Sequence, residues 1–135
     1  MTETKYGKYI ITEGNKPATA VDADIRPLLY LDDTVLPGAL YTEGGWLQKL
    51  GTYDPPAHTH DFDEVLAFIG ADPENPRDLC GEVELSLGDE RHILTKTCVV
   101  FVPRGLKHCP FSILRADRPI FLLSTGPENG AYKRS

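Results

Sequence analysis

Hydrophobic and polar residues along this chain fall into strict alternation or short apolar runs, and few stretches repeat with a helical period. Glu82-Val83-Glu84-Leu85-Ser86-Leu87 alternates polar with apolar, the pattern of a strand with one wet face. Gly88-Asp89-Glu90 turns it, and Arg91 to Thr95 pairs back as a hairpin. Val65-Leu66-Ala67-Phe68-Ile69 is apolar on both faces and predicts a central strand ending at Gly70. Cys98 to Val102 predicts a buried strand stopped by Pro103-Arg104-Gly105, with further strands over Phe111 to Leu114 and Pro119 to Ser124. Upstream, Tyr9 to Thr12 predicts a short edge strand closed by Asn15-Lys16-Pro17, and a second strand begins at Leu28. Asp32-Asp33 and Pro37-Gly38 then punctuate the chain. Tyr41 to Leu50 contains Gly44-Gly45, which predicts a bulge, or a hairpin leading into Trp46 to Leu50. Ala71 to Cys80 is one long irregular connection, dense in turn formers and acids, with a length that would suit a lid or a partner contact.

Composition narrows this picture. The 12 glycines and 11 prolines are spread over the whole length, which favours an all-β sandwich or barrel. The 135 residues suit one domain, with a barrel core over 25–124, the N-terminal strand at 9–12 and a polar tail over 126–135. Fourteen basic against 20 acidic residues give a net charge of -6, which argues against nucleic acid or an anionic membrane as partner. Three cysteines without a CxxC suit free thiols in a reducing compartment. The first twenty residues carry no signal-like apolar core and no run approaches the ~18 residues of a membrane span, so the expected location is cytoplasmic.

Candidate chemistry lies at His58-Thr59-His60. In an extended strand residues two apart share a face, and Glu64 joins that face if the strand continues. Two imidazoles and a carboxylate make the beginnings of a metal site, and a fourth ligand would come from His92 or His108.

The order HxH, three spacers, Glu, and later PxGxxH resembles the two motifs of the cupin superfamily, here His58-Thr59-His60-Asp61-Phe62-Asp63-Glu64 and Pro103-Arg104-Gly105-Leu106-Lys107-His108. The resemblance covers roughly Trp46 to Ser124, and Thr97 stands where the second motif usually opens with glycine. It implies a double-stranded β-helix, or jelly-roll barrel, in which His58, His60, Glu64 and His108 bind one divalent transition metal. Fe(II), Mn(II), Ni(II), Cu(II) and Zn(II) all suit such donors. It also implies a homodimer.

The expected function is therefore that of a metal-dependent enzyme of dioxygenase, isomerase or lyase type. It would act on a small metal-chelating organic molecule, with Glu64 as metal ligand or catalytic base. A non-catalytic, metal-dependent ligand-binding or sensing module is the second reading, and a metal-stabilised structural domain the third. Phe62, Phe111 and Trp46 are the expected pocket residues. Cys109 should point away from the metal by alternation, His92 is an ordinary strand position, and Asp61 and Asp63 are solvated or bonded to the imidazoles.

Overall fold

The computed structural model describes residues 4–14, 27–53 and 56–127. Its strands are β1 (Leu29–Leu31), β2 (Tyr41–Leu47), β3 (Gly51–Tyr53), β4 (Glu64–Ile69), β5 (Asp78–Leu87), β6 (Glu90–Lys96), β7 (Cys98–Val102), β8 (His108–Ala116) and β9 (Ile120–Gly126). They form two antiparallel sheets, ordered β1-β2-β9-β4-β7 and β3-β8-β5-β6. Only the β1–β2 and β5–β6 connections stay within one sheet. Every other connection carries the chain across, the winding of a double-stranded β-helix.

Period-two alternation decides which side chains meet between the sheets. On β2, Tyr41, Glu43, Gly45 and Leu47 face inward; on β9, Ile120, Leu122 and Ser124; on β4, Glu64, Leu66 and Phe68. The pairing register stacks these into rungs across the larger sheet. Tyr30, Glu43, Ser124, Leu66 and Val100 form one, and Gly45, Leu122, Phe68 and Cys98 the next. Moving along the barrel, the rungs change from polar to wholly apolar. Facing the apolar end from the smaller sheet are Leu79, Val83, Leu85, Phe111 and Ile113, all buried. The Phe68 ring meets that of Phe111 edge-on at 5.8 Å across the core. Each such side chain contributes ~1.5–3 kcal/mol of burial.

Several expectations are corrected. Tyr9 to Thr12 is not a strand: Gly7–Tyr9 forms one 3-10 turn and residues 10–14 make no ladder. Tyr9 and Ile10 stay exposed, so no second sheet face rewards pairing there. Residues 25–26 at the expected start of the barrel, Asn15-Lys16-Pro17, and the tail beyond 127 lie outside the described residues. Gly44-Gly45 makes neither bulge nor hairpin, since β2 pairs with β9 in unbroken register from Tyr41 to Leu47. The Phe121 ring explains Gly44: a Cβ there would lie 2.8 Å from Phe121 Cζ.

β7 is not buried. It is an edge strand, with Val99 and Phe101 exposed on its outer side. The irregular connection is also shorter than expected, because β5 begins at Asp78. It hangs from the Gly70 end of β4, about 20 Å from Glu64 at ~3.3 Å per residue, which removes it as a lid over the histidines. Thr97 pins it, accepting from Gly70 N at 2.9 Å and donating to Pro76 O at 2.5 Å.

Among the described residues the outward positions of the larger sheet carry no charge: Leu29 and Leu31, Gly44 and Trp46, Phe121 and Leu123, Val65, Ala67 and Ile69, Val99 and Phe101, with Thr42 and Thr125. Trp46, half exposed, packs edge-on against Phe121 at 5.0 Å.

Asp32 organises the turn after β1. Its buried carboxylate accepts from Tyr30 Oη at 2.7 Å, Thr34 N at 2.8 Å, Thr34 Oγ1 at 2.5 Å and Val35 N at 3.3 Å. Burial pushes the Asp32 carboxyl up, but the Thr34 and Tyr30 hydrogen bonds outweigh it and hold it below the ordinary carboxylate range. A folded-state pKa below the unfolded one gives stability that is present above the unfolded value of ~3.9 and lost as pH falls through the folded one. Asp32→Ala should therefore cost ~2–3 kcal/mol in denaturant unfolding near pH 7. The gap from wild type should narrow as the pH is lowered below ~4.

Candidate functional site

The polar end of the barrel is assembled from two chain segments laced through their backbones. His58 N donates to His108 O at 3.0 Å and His108 N to His58 O at 2.9 Å, an isolated antiparallel bridge. Gly105 N donates to His60 O at 3.0 Å, and Arg104 N to Asp63 Oδ1 at 2.9 Å. Gly105 sits at φ +85°, a conformation residues with a Cβ avoid, and this turn brings the second segment back over the first. The expected continuous strand from His58 to Glu64 does not form: the chain bends at Asp61 and Phe62, and β4 starts at Glu64. The lacing across 104–108 holds the two parts together instead.

His58, His60, Glu64 and His108 are all buried. Among the described residues the three histidines form one group of possible metal-ligating atoms, all within 4.8 Å of one another. His58 Nε2 lies 3.2 Å from His60 Nε2. Glu64 Oε1 lies 3.1 Å from His108 Nε2 and 3.5 Å from His60 Nε2. The outer ring nitrogens settle which protons are where. His58 Nδ1 is 2.7 Å from Pro56 O and His108 Nδ1 is 3.0 Å from Leu106 O. A carbonyl only accepts, so both Nδ1 atoms carry hydrogen and both Nε2 atoms face inward, that of His58 against His60 Nε2 and that of His108 against Glu64 Oε1.

This leaves a deficit of positive charge. His108 Nε2 and Glu64 Oε1, 3.1 Å apart, need either a proton or a cation between them. Glu64 Oε2 is buried with no hydrogen-bond partner. Burial pushes the Glu64 carboxyl up, but its hydrogen bonds and charge attraction to His108 and His60 hold it below the ordinary carboxylate value, so the group favours the anion.

A cavity of about 40 Å³ opens beside the cluster, lined by His58, Glu64 and His108 together with Tyr41, Glu43, Gly45 and Ser124. Leu66, Phe68, Phe111 and Leu122 close its apolar end. At ~10–15 Å³ of such volume per water, it holds a few waters. Of the expected pocket residues, Phe111 lines it. Trp46 does not, because alternation on β2 puts Gly45 inside and Trp46 on the outer face. Phe62 does not line it either; its ring stacks on His60 at 4.7 Å.

Cys109 is buried and lines the cavity beside His108, against the expectation from alternation. Its backbone, at φ +70°, departs from regular strand geometry at the start of β8. His92 is exposed on β6 and pairs with Glu90 at 2.9 Å, far from any inner face, which removes it as a ligand. Asp63 caps Arg104 N and Asp61 pairs loosely with Arg104 at 3.7 Å, so neither bonds to an imidazole. Sequence reasoning missed Tyr41 and Glu43. The signal was present in their spacing, since Tyr41, Glu43 and Gly45 share one face of a strand.

No protein-family model and no curated protein sequence matches the chain. Solved structures do. An uncharacterized conserved protein with a double-stranded β-helix domain from Klebsiella pneumoniae superposes with a TM-score of 0.56 at 14% identity, covering 96% of this chain and 93% of that one. An RmlC-like cupin family protein with a double-stranded β-helix fold from Methanocaldococcus jannaschii gives 0.52 at 17% identity, over 84% and 88%. A cupin protein from Bacteroides fragilis gives 0.51 at 19%, over 91% of each chain. Agreement over this much of the chain decides the architecture: the chain has the double-stranded β-helix fold of these cupin structures.

Proposed function

We propose that the chain is a metal-dependent enzyme of the cupin type, acting on a small organic molecule that chelates the metal. His58, His60, Glu64 and His108 would hold one divalent transition metal. The observation that carries this reading is the pair of backbone carbonyls, Pro56 O and Leu106 O, which fix the outer nitrogens of His58 and His108 so that both Nε2 atoms turn inward to the group they form with His60, with Glu64 against His108 and His60. Such a donor set fits a divalent cation. When bound, the metal supplies Lewis acidity toward a chelating oxygen or nitrogen, the chemistry shared by dioxygenase, isomerase and lyase reactions.

The chain's own residues supply the rest. Glu64 Oε2, buried and without a hydrogen-bond partner, is placed to accept a proton from a bound hydroxyl or an acidic C–H. Phe68, Phe111, Leu66 and Leu122 exclude water from the inner end of the cavity. Its size restricts a bound molecule to a few heavy atoms unless the mouth widens.

Protein purified without chelator should contain about one transition metal per chain by elemental analysis, and His58→Ala/His108→Ala should lose it by tenfold or more. A metal-free wild type that matches the double variant after reconstitution overturns the metal reading. Turnover of a chelating substrate by the loaded protein, followed as oxygen uptake under Fe(II) or as substrate loss, separates the enzyme from a binding module. In the second case ligands would raise the melting temperature without being consumed.

The uncharged outer face of the larger sheet, with Leu29, Trp46, Val99 and Phe101 exposed, supports a homodimer in which this face is covered by a second copy. Light scattering should give twice the chain mass for wild type and the single mass for Trp46→Ser/Phe101→Ser. A monomeric wild type counts against the dimer.

A further inference from the structure

Phe62 is used outside the cavity: its ring lies flat on the His60 imidazole, with centroids 4.7 Å apart and planes 12° from parallel. That spacing is favourable for stacked rings, and a stack restrains the plane of a ring where a single hydrogen bond lets it pivot. The outer nitrogens of the other two histidines are held by carbonyls, His58 by Pro56 O and His108 by Leu106 O. Ring planes matter in this cluster because the imidazoles meet at steep angles, 68° between His58 and His60 and 54° between His60 and His108. Turning the His60 ring would swing its Nε2 away from His58 Nε2 at 3.2 Å and from Glu64 Oε1 at 3.5 Å.

The surroundings of Phe62 keep its ring in place. The chain bends at Asp61 and Phe62, and the bend is tied to the turn after β7: Gly105 N donates to His60 O at 3.0 Å and Arg104 N to Asp63 Oδ1 at 2.9 Å. Gly126, the last residue of β9, makes room for the ring edge. A Cβ there would stand 3.3 Å from Phe62 Cε1 and 3.4 Å from Cδ1, a tight approach, although Gly126 is not at positive φ. We infer that Phe62 is a positioning residue: by stacking on His60 it sets the plane of that imidazole and, through it, the direction of Nε2 within the histidine group. Phe62 does not line the cavity, so it acts through His60 rather than on a bound molecule. What this does to a metal rests on the proposed metal site; the stack itself does not.

The test reads the ring in the metal-free full chain and the metal in the loaded one. In proton NMR with chelator present, a His60 ring proton over the face of Phe62 should resonate upfield of the same proton in exposed His92, with His60 assigned through His60→Gln. Phe62→Leu, which keeps an apolar side chain and removes the ring, should abolish that upfield shift. Titrated with Co(II), Phe62→Leu should bind about tenfold more weakly than wild type and show an altered d–d absorption spectrum. Wild-type His60 protons no further upfield than those of His92 overturn the inference whatever the variant does, so it remains falsifiable if Phe62→Leu fails to fold. An unchanged His60 shift in a folded Phe62→Leu overturns it too. So does loss of the shift with Co(II) affinity and spectrum both unchanged, since Phe62 would then only fill space. If wild type takes up no Co(II), the metal reading fails, and the metal-free shifts decide the inference by themselves.

Discussion

A strand has two faces, and a barrel this small offers only one interior, so the inner face must provide both the hydrophobic core and the functional site. The larger sheet resolves this conflict along its length. Its rungs run from Leu47 and Ile120, through Gly45, Leu122 and Phe68, to Glu43 with Ser124, and then to Tyr41 and Glu64. Apolar burial at one end carries the stability, while the polar end is held chiefly by directed hydrogen bonds. The four buried residues of the candidate site sit where the apolar rungs give out, and they are supported there by backbone bonds and carbonyls together with the Asp63 cap on Arg104 N and the Phe62 ring on His60.

That division explains what could be read in the sequence. Strict alternation in Glu82 to Leu87 and the apolar run of Val65 to Ile69 report local geometry, and both strands form. The spacing of His58, His60, Glu64 and His108 reports which side chains gather, and all four do. What could not be read depended on neighbours far along the chain. Cys98 to Val102 is as apolar as a buried strand, yet the sheet order leaves β7 with a partner on one side only. Gly44-Gly45 looks like a break until Phe121, some seventy-five residues later, is seen to lie across Gly44.

Glu43 illustrates the same point from the other direction. A glutamate in a strand between two polar-looking stretches reads as solvated, and only the pairing of β2 with β9 shows that its side faces Ser124 and the cavity. Trp46, one of the three expected pocket residues, is one place out of phase and faces outward. Phase along a strand, rather than residue type, separates lining from surface.

The reciprocal backbone pair between His58 and His108 also bears on the order in which the molecule takes shape. These residues are fifty positions apart, and β4 to β7 lie between them in the chain. A contact of that separation closes a long loop, and its entropic cost is lower once pairings such as β5 with β6 have shortened that loop. The unfolded chain carries the HxH pair as a weak local chelator but not the pocket. Completing the cluster therefore marks arrival at the native state, and a cation that needs all of its donors would recognise the finished barrel rather than the chain on its way there.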